Sequence, residues 1–204
     1  MFAITMRAVL MGAALLVSGA WSAVSASTVT TNCPGTISTA DREFTVTTEA
    51  PGASCLAWGA GNINGNPSGA NPDPLFAILG PGTQLIDKSG PGAAFLNLTG
   101  SGTRAGTFSF LLPAPPVGKI WTNIVLALRS SVAQIDPDWV AVGLQNGVTT
   151  GSWTIASGRQ PLVGGNLYGR LVDAPPPAVP LPAGGLMLVA GLGALGVLRR
   201  RKTG

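Results

Sequence analysis

The chain of 204 residues contains no histidine, two cysteines, one tyrosine and few charges, with 10% of its residues Asp, Glu, Lys or Arg. Each scarcity removes a class of chemistry. Without histidine, a serine or cysteine nucleophile has no imidazole to take its proton, so the familiar catalytic relay cannot be assembled. Ser-Lys variants would need Lys88 or Lys119 buried beside a serine, and IDKS has the composition of an ordinary polar turn. Two thiols without further soft ligands do not complete a zinc site, and no metal or other cofactor is expected. No glycine-rich phosphate loop opens a helix, because nothing after these glycines reads as one. The formal net charge of +4 promises a basic surface, but its placement denies one. Arg7 lies near the start and Arg199, Arg200, Arg201 and Lys202 lie at the end, leaving seven basic and eight acidic residues between. The interior is weakly acidic and has no basic patch interleaved with aromatics, which excludes a nucleic-acid partner.

What the chain does have is concentrated first at its two ends. Residues 1–26 carry Arg7, an apolar run from Ala8 to Ala20, and then Val24-Ser25-Ala26, which places small residues at −3 and −1 of a cleavage site after Ala26. No amphipathic stripe runs through the segment, so it reads as a secretory signal peptide rather than a core helix. At the other end, in residues 175–204, a proline-rich tag precedes an uncharged apolar run and four consecutive positive charges. The uncharged stretch from Pro182 to Leu198 would span ~25 Å as a helix, slightly short of a ~30 Å hydrocarbon core. A transmembrane helix is placed over 184–198, and Arg199, Arg200, Arg201 and Lys202 act as stop charges that stay cytoplasmic by the positive-inside rule. Both ends direct the segment between them out of the cytoplasm. Export also suits Cys33 and Cys55, whose simplest reading in an oxidising compartment is a disulfide, with two free buried thiols as the alternative.

Residues 27–174 form the expected single domain, an all-β sandwich, jelly-roll-like. The alternation in EFTVTTE, with Phe44 and Val46 on one face and Glu43, Thr45, Thr47 and Glu49 on the other, marks a strand with one wet side. Further strands are expected in SCLAWGA, LFAILG, TQLIDKS, AAFLNLTG, GTFSFLLP, KIWTNIVLALRS, DWVAVGLQ, GSWTIAS and NLYGRLV, most of them separated by Gly, Pro or Asn clusters. KIWTNIVLALRS could also line a helical stripe, but its β-branched content and missing cap favour a strand. Asn146-Gly147 between two such runs predicts a hairpin with a type I′ turn. Trp58, Trp121, Trp139 and Trp153 are assigned to the core, with a sugar-stacking platform as the alternative use of some rings.

Three places could carry chemistry. GAGNINGNPSGANPDP, from Gly59 to Pro74, is a long loop whose Asn62, Asn64, Asn66, Asn71 and Asp73 supply the oxygens that calcium prefers. It has one formal charge and no EF-hand spacing, and Asn and Gly favour turns in any case, so a solvated loop is the competing and preferred account. Asp136-Pro137-Asp138 supplies the carboxylate pair of a glycoside hydrolase. The more ordinary expectation is that Pro137 starts a strand while both aspartates stay in water. Finally, Asn97-Leu98-Thr99 fits a glycosylation acceptor.

The order VPLPAGG, apolar helix, RRRK resembles the sorting tail of bacterial PEP-CTERM proteins in its VPLPA variant. That resemblance implies recognition of Val179, Pro180, Leu181, Pro182 and Ala183 by an exosortase, a transient C-terminal membrane anchor, and release of the domain at the surface of a Gram-negative bacterium. A plain membrane anchor is the alternative. The interior runs GAGNINGNPSGANPDPLF, LIDKS, IVLALRS, DPDW, VTTGSWTI and NLYG also resemble a recurrent ectodomain of this group, to which no activity attaches. The implied role is an exported, non-catalytic surface or matrix protein associated with exopolysaccharide or biofilm. A polysaccharide-binding module is the alternative function, and a glycoside hydrolase using Asp73, Asp136 or Asp138 a more distant one.

Overall fold

The computed structural model describes residues 27–34, 42–131, 137–156 and 160–176. The expected leader, the sorting tag at Val179–Ala183, the apolar span 184–198, the stop charges and Asp136 lie outside these residues. Within the described residues no helix is long and apolar enough to cross a membrane.

The described residues form ten strands and one short helix: β1 (Thr28–Cys33), β2 (Glu43–Glu49), β3 (Ala53–Gly59), α1 (Pro74–Leu79), β4 (Thr83–Lys88), β5 (Leu96–Leu98), β6 (Ala105–Phe110), β7 (Lys119–Ser130), β8 (Trp139–Leu144), β9 (Thr150–Ala156) and β10 (Leu162–Asp173). They form two antiparallel five-stranded sheets, ordered β1-β2-β9-β6-β5 and β3-β8-β7-β10-β4. The β2–β9 ladder of the first sheet continues round the edge as the β3–β8 ladder of the second. The all-β sandwich expected from alternation is therefore the observed architecture.

The core between the sheets follows from period-two patterning. Phe44 and Val46, Phe108 and Phe110, and Trp153 and Ile155 point inward from the first sheet. They meet Leu126, Leu128, Val140, Val142, Leu162 and Leu167 of the second. Burying each such side chain contributes about 1.5–3 kcal/mol. Close approach is arranged by glycine: a Cβ on Gly106 would stand 2.8 Å from the Trp153 ring and 2.3 Å from the Thr99 carbonyl. Cys33 of β1 and Cys55 of β3 are disulfide-bonded, with Cα atoms 5.3 Å apart. The bond joins edge strands of opposite sheets and closes the sandwich on that side.

The second sheet breaks alternation, because Val125 to Leu128 and Trp139 to Val142 are buried on both faces. Its outer face is covered by the segment between β3 and β4, whose Ile63 and Leu75 pack on Val125, Ala127, Trp139, Ala141 and Tyr168. Small Ala127 and Ala141 let this third layer lie close.

Several expectations are corrected. LFAILG is helix α1, not a strand: Asp73 caps it through Leu75 N, Pro74 occupies its first turn, and Gly80 with φ 82° ends it. β1, TVTTNC, is a strand that the sequence reading passed over. Asn146-Gly147 makes a tight turn closed by Val148 N to Gln145 O, with a left-handed backbone at Gly147 and not at Asn146. That is a type II arrangement, and it joins strands of different sheets rather than a hairpin. Trp139 and Trp153 are core residues, but Trp58 is 54% exposed, and half-buried Trp121 donates its indole N–H to Pro113 O.

Candidate functional site

The third layer is built on one buried carboxylate. Asp73 is 2% exposed, and its Oδ1 accepts from Leu75 N at 2.9 Å. Its Oδ2 accepts from Gly65 N at 2.7 Å and from the Tyr168 hydroxyl at 2.6 Å. The sequence places Asp immediately before Pro-Leu-Phe, where a cap is wanted, so the same residue starts α1 and ties the preceding loop to β10. Asn166 Nδ2 donates to the Tyr168 oxygen at 2.9 Å. Burial first, and then the hydrogen bond donated to Asp73, push the Tyr168 phenol well above its ordinary value of 10.0. The neutral hydroxyl is thereby kept as a donor.

Of the oxygens proposed for calcium, those of Asn62, Asn64 and Asp73 are engaged within the protein. Asn64 Oδ1 accepts from Asn66 N and its Nδ2 donates to Asn71 O. Asn62 Oδ1 accepts from the Arg129 guanidinium. Asn62, Asn64 and Asp73 thus serve the loop's own turns and its attachment to the sheet, Asn66 and Asn71 take part through their backbone while their side chains are exposed, and the Arg129 guanidinium rests on Asn62. Among the described residues no three His, Cys, Asp or Glu side chains come together.

Asp138 departs from its expected place in water. It is 1% exposed, pairs with buried Arg42 at 3.7 Å, and accepts from Gly61 N at 2.7 Å. Arg42 also donates to Ser130 Oγ and to Pro137 O. The ion pair locks the start of β2 to the start of β8, and the Gly61 N–H to Asp138 hydrogen bond adds the start of the long loop, while Asp73 lies on the loop's other end. The structure gives Asp73 and Asp138 partners within the protein.

A polar cleft of about 200 Å³ opens beside this network, lined by Asn64, Lys88, Ser89, Arg129, Gly164 and Asn166 among others. Lys88 ends β4 and Arg129 lies near the end of β7, and both strands flank β10. Lys88 is met in the sequence only as a Ser-Lys candidate and Arg129 not at all, because the two are 41 residues apart and meet only through strand order. A larger concavity of about 700 Å³, lined by the loop before β5 and the ends of β5, β6 and β9, has no ionisable side chain in its wall.

The outer face of the first sheet is the other distinctive surface. Thr30, Thr47, Ser152 and Thr107 stand side by side across four strands, continued by Thr99 just past β5. Adjacent hydroxyls bond to each other, Thr30 to Thr47 at 3.2 Å and Thr99 to Thr107 at 2.8 Å. Lysine, arginine and aromatic side chains are absent from the outward positions of these strands.

Comparison with family models, with curated proteins and with solved structures returned no match.

Proposed function

We propose that the chain is an exported, non-catalytic domain of a bacterial surface or extracellular matrix, delivered by its leader and released by an exosortase acting near Val179–Ala183. The Cys33–Cys55 bond carries this reading, because a disulfide across the two sheets belongs to a protein that folds in an oxidising compartment. The structural use of Asp73 and Asp138 supports a non-catalytic role. The wrapping of the β2–β9 ladder into the β3–β8 ladder supports the jelly-roll-like description of the sandwich. Fractionation of the producing cells and sequencing of the mature C-terminus test the reading. The expected product lacks Arg199, Arg200, Arg201 and Lys202 and is found outside the cytoplasm; a mature, membrane-held protein that retains them overturns the processing step.

Polysaccharide binding is the second reading, favoured by exposed Trp58 and by the hydroxyl-rich face. A glycan array probed with the full-length chain tests it. Retention that falls when Trp58→Ala or Thr47→Val is introduced supports binding, whereas no retention of any glycan leaves the scaffold role alone.

A further inference from the structure

The cleft between β4, β7 and β10 holds two cations that lack a carboxylate partner. Among the described residues, ion pairs join Arg42 to Asp138 and Lys119 to Asp173, and none involves Lys88 or Arg129. Asp87, which precedes Lys88 in the chain, and Asp73 of the adjoining network are committed elsewhere. Asp87 accepts from Lys88 N, Ala94 N, Phe95 N and Leu96 N. Asp73 is buried under Tyr168.

Both cations are held in place by neutral groups. The Arg129 guanidinium donates to Asn62 Oδ1, which fixes its plane and leaves its other N–H donors available. The Lys88 stem lies against Gly65, where a Cβ would come within 2.7 Å of Lys88 Cε, and Gly65 itself is pinned by Asp73. Between the two charges the wall is glycine. A Cβ on Gly164 would stand 3.0 Å from Ser89 Oγ and 3.8 Å from Arg129 Nη2, so its absence leaves a gap bounded by a hydroxyl and a guanidinium. Ser89 Oγ accepts from Gly165 N at 2.8 Å, which leaves its own proton to donate. Liquid water takes about 30 Å³ per molecule, so a cleft of about 200 Å³ admits an oxyanion and part of the small unit that bears it.

We propose that this cleft binds an oxyanion, a carboxylate or a sulfate or phosphate ester, carried on an otherwise neutral polyhydroxylated polymer such as an acidic polysaccharide. Arg129 engages the planar anion with its fork, Lys88 supplies the second charge, and Ser89 donates a hydrogen bond across the Gly164 gap. The Asn-rich loop is thereby the wall that positions Arg129 for an anion rather than a cage for a cation. The inference rests on the exported reading only for its choice of polymer, and the two fail separately: binding is measured on purified protein, location on fractionated cells.

Calorimetric titration of the full-length chain with oligogalacturonate, a sulfated dextran, inorganic phosphate and neutral dextran tests the assignment. Expected is binding of at least one charged probe, weakened tenfold or more by Lys88→Ala with Arg129→Gln and weakened by added salt. Neutral dextran should not bind, and Lys119→Ala should change nothing. Preference among the charged probes identifies the source of the anion. If Arg129→Gln does not fold, the exposed Lys88→Glu substitution carries the test, with the same expected loss. Failure of every charged probe to bind, equal binding of neutral dextran, or unchanged affinity in a folded Lys88→Glu or double variant overturns the proposal.

Discussion

Replacing Asp73 by alanine separates the structural account of the long loop from the calcium account. The substitution removes the cap of α1, worth about 1 kcal/mol. It also leaves Gly65 N–H and the Tyr168 hydroxyl without their acceptor in a site where Asp73 is 2% exposed. Each stranded buried donor costs about 1–3 kcal/mol. Relief from burying a carboxylate offsets part of this, because a lone buried charge is itself unfavourable. The net expectation is a loss of about 2–4 kcal/mol, and at about 2–4 °C per kcal/mol for a domain of this size the melting point falls by roughly 10 °C. Asp73→Asn keeps one acceptor oxygen and should lose about half as much. Thermal and urea unfolding of the purified protein, with calcium and with a chelator, are the assay. On the structural account the loss is the same in both, since the oxygens face protein donors. A calcium site saturated a hundredfold above its dissociation constant would stabilise the wild type by about 2.7 kcal/mol. A calcium-dependent rise in melting point that Asp73→Ala abolishes, or an Asp73→Ala protein that melts with the wild type, refutes the reasoning.

Three other outcomes follow from the geometry. Reduction, or Cys33→Ser, removes a link closing a loop with a sequence separation of 22, and should cost about 3 kcal/mol in urea unfolding on the chain-entropy estimate. Gly106→Ala forces a Cβ toward the Thr99 carbonyl and the Trp153 ring, and should destabilise by about 1–3 kcal/mol with a change in tryptophan fluorescence. The pH dependence has two limbs. Burial alone would raise the Asp87 carboxyl, but N–H donors from Phe95, Leu96, Lys88 and Ala94 outweigh it and hold the group below its ordinary 3.8. Its stabilisation is therefore present above that value and lost as pH falls below it, and Asp87→Asn should flatten the acid limb of a stability–pH curve. Tyr168, raised above its ordinary 10.0, stabilises fully below that value and loses its contribution as the unfolded phenol ionises at higher pH. Tyr168→Phe should accordingly be less stable at neutral pH but shed less stability on going above pH 10.

Legibility in the sequence tracked the range over which the governing interactions act. β2 and β7 coincide with EFTVTTE and KIWTNIVLALRS because alternation and β-branching are local properties of those runs. The helix was also locally signalled, by Asp73 and Pro74 before it and Gly80 after it, but LFAILG is short enough that its apolar content reads equally as a buried strand. The Asn146-Gly147 turn was legible as a turn and not as a crossover. Whether two strands pair or separate is decided by what β8 finds in β3 and β7, not by the residues between β8 and β9. Trp58 and Asp138 show the same limit from opposite sides. An apolar ring lies outside because β3 is an edge strand, and an acid lies inside because Arg42 meets it there.

The long loop shows what strand order adds to composition. Oxygens at Asn62, Asn64, Asn66, Asn71 and Asp73 suggest a cation, and the fold brings the Arg129 guanidinium of β7 onto one of them, at Asn62. Once that guanidinium is in place, the electrostatics of the site reverse. The charged side chains that line the cleft bordering the loop are Arg129 and Lys88, which repel a second cation there, and with Asp73 held behind Tyr168 the cleft is open to anions. On the anion proposal, the sign of the ligand is set by two residues contributed from strands on either side of β10, and it can be read only after the order β7-β10-β4 is known.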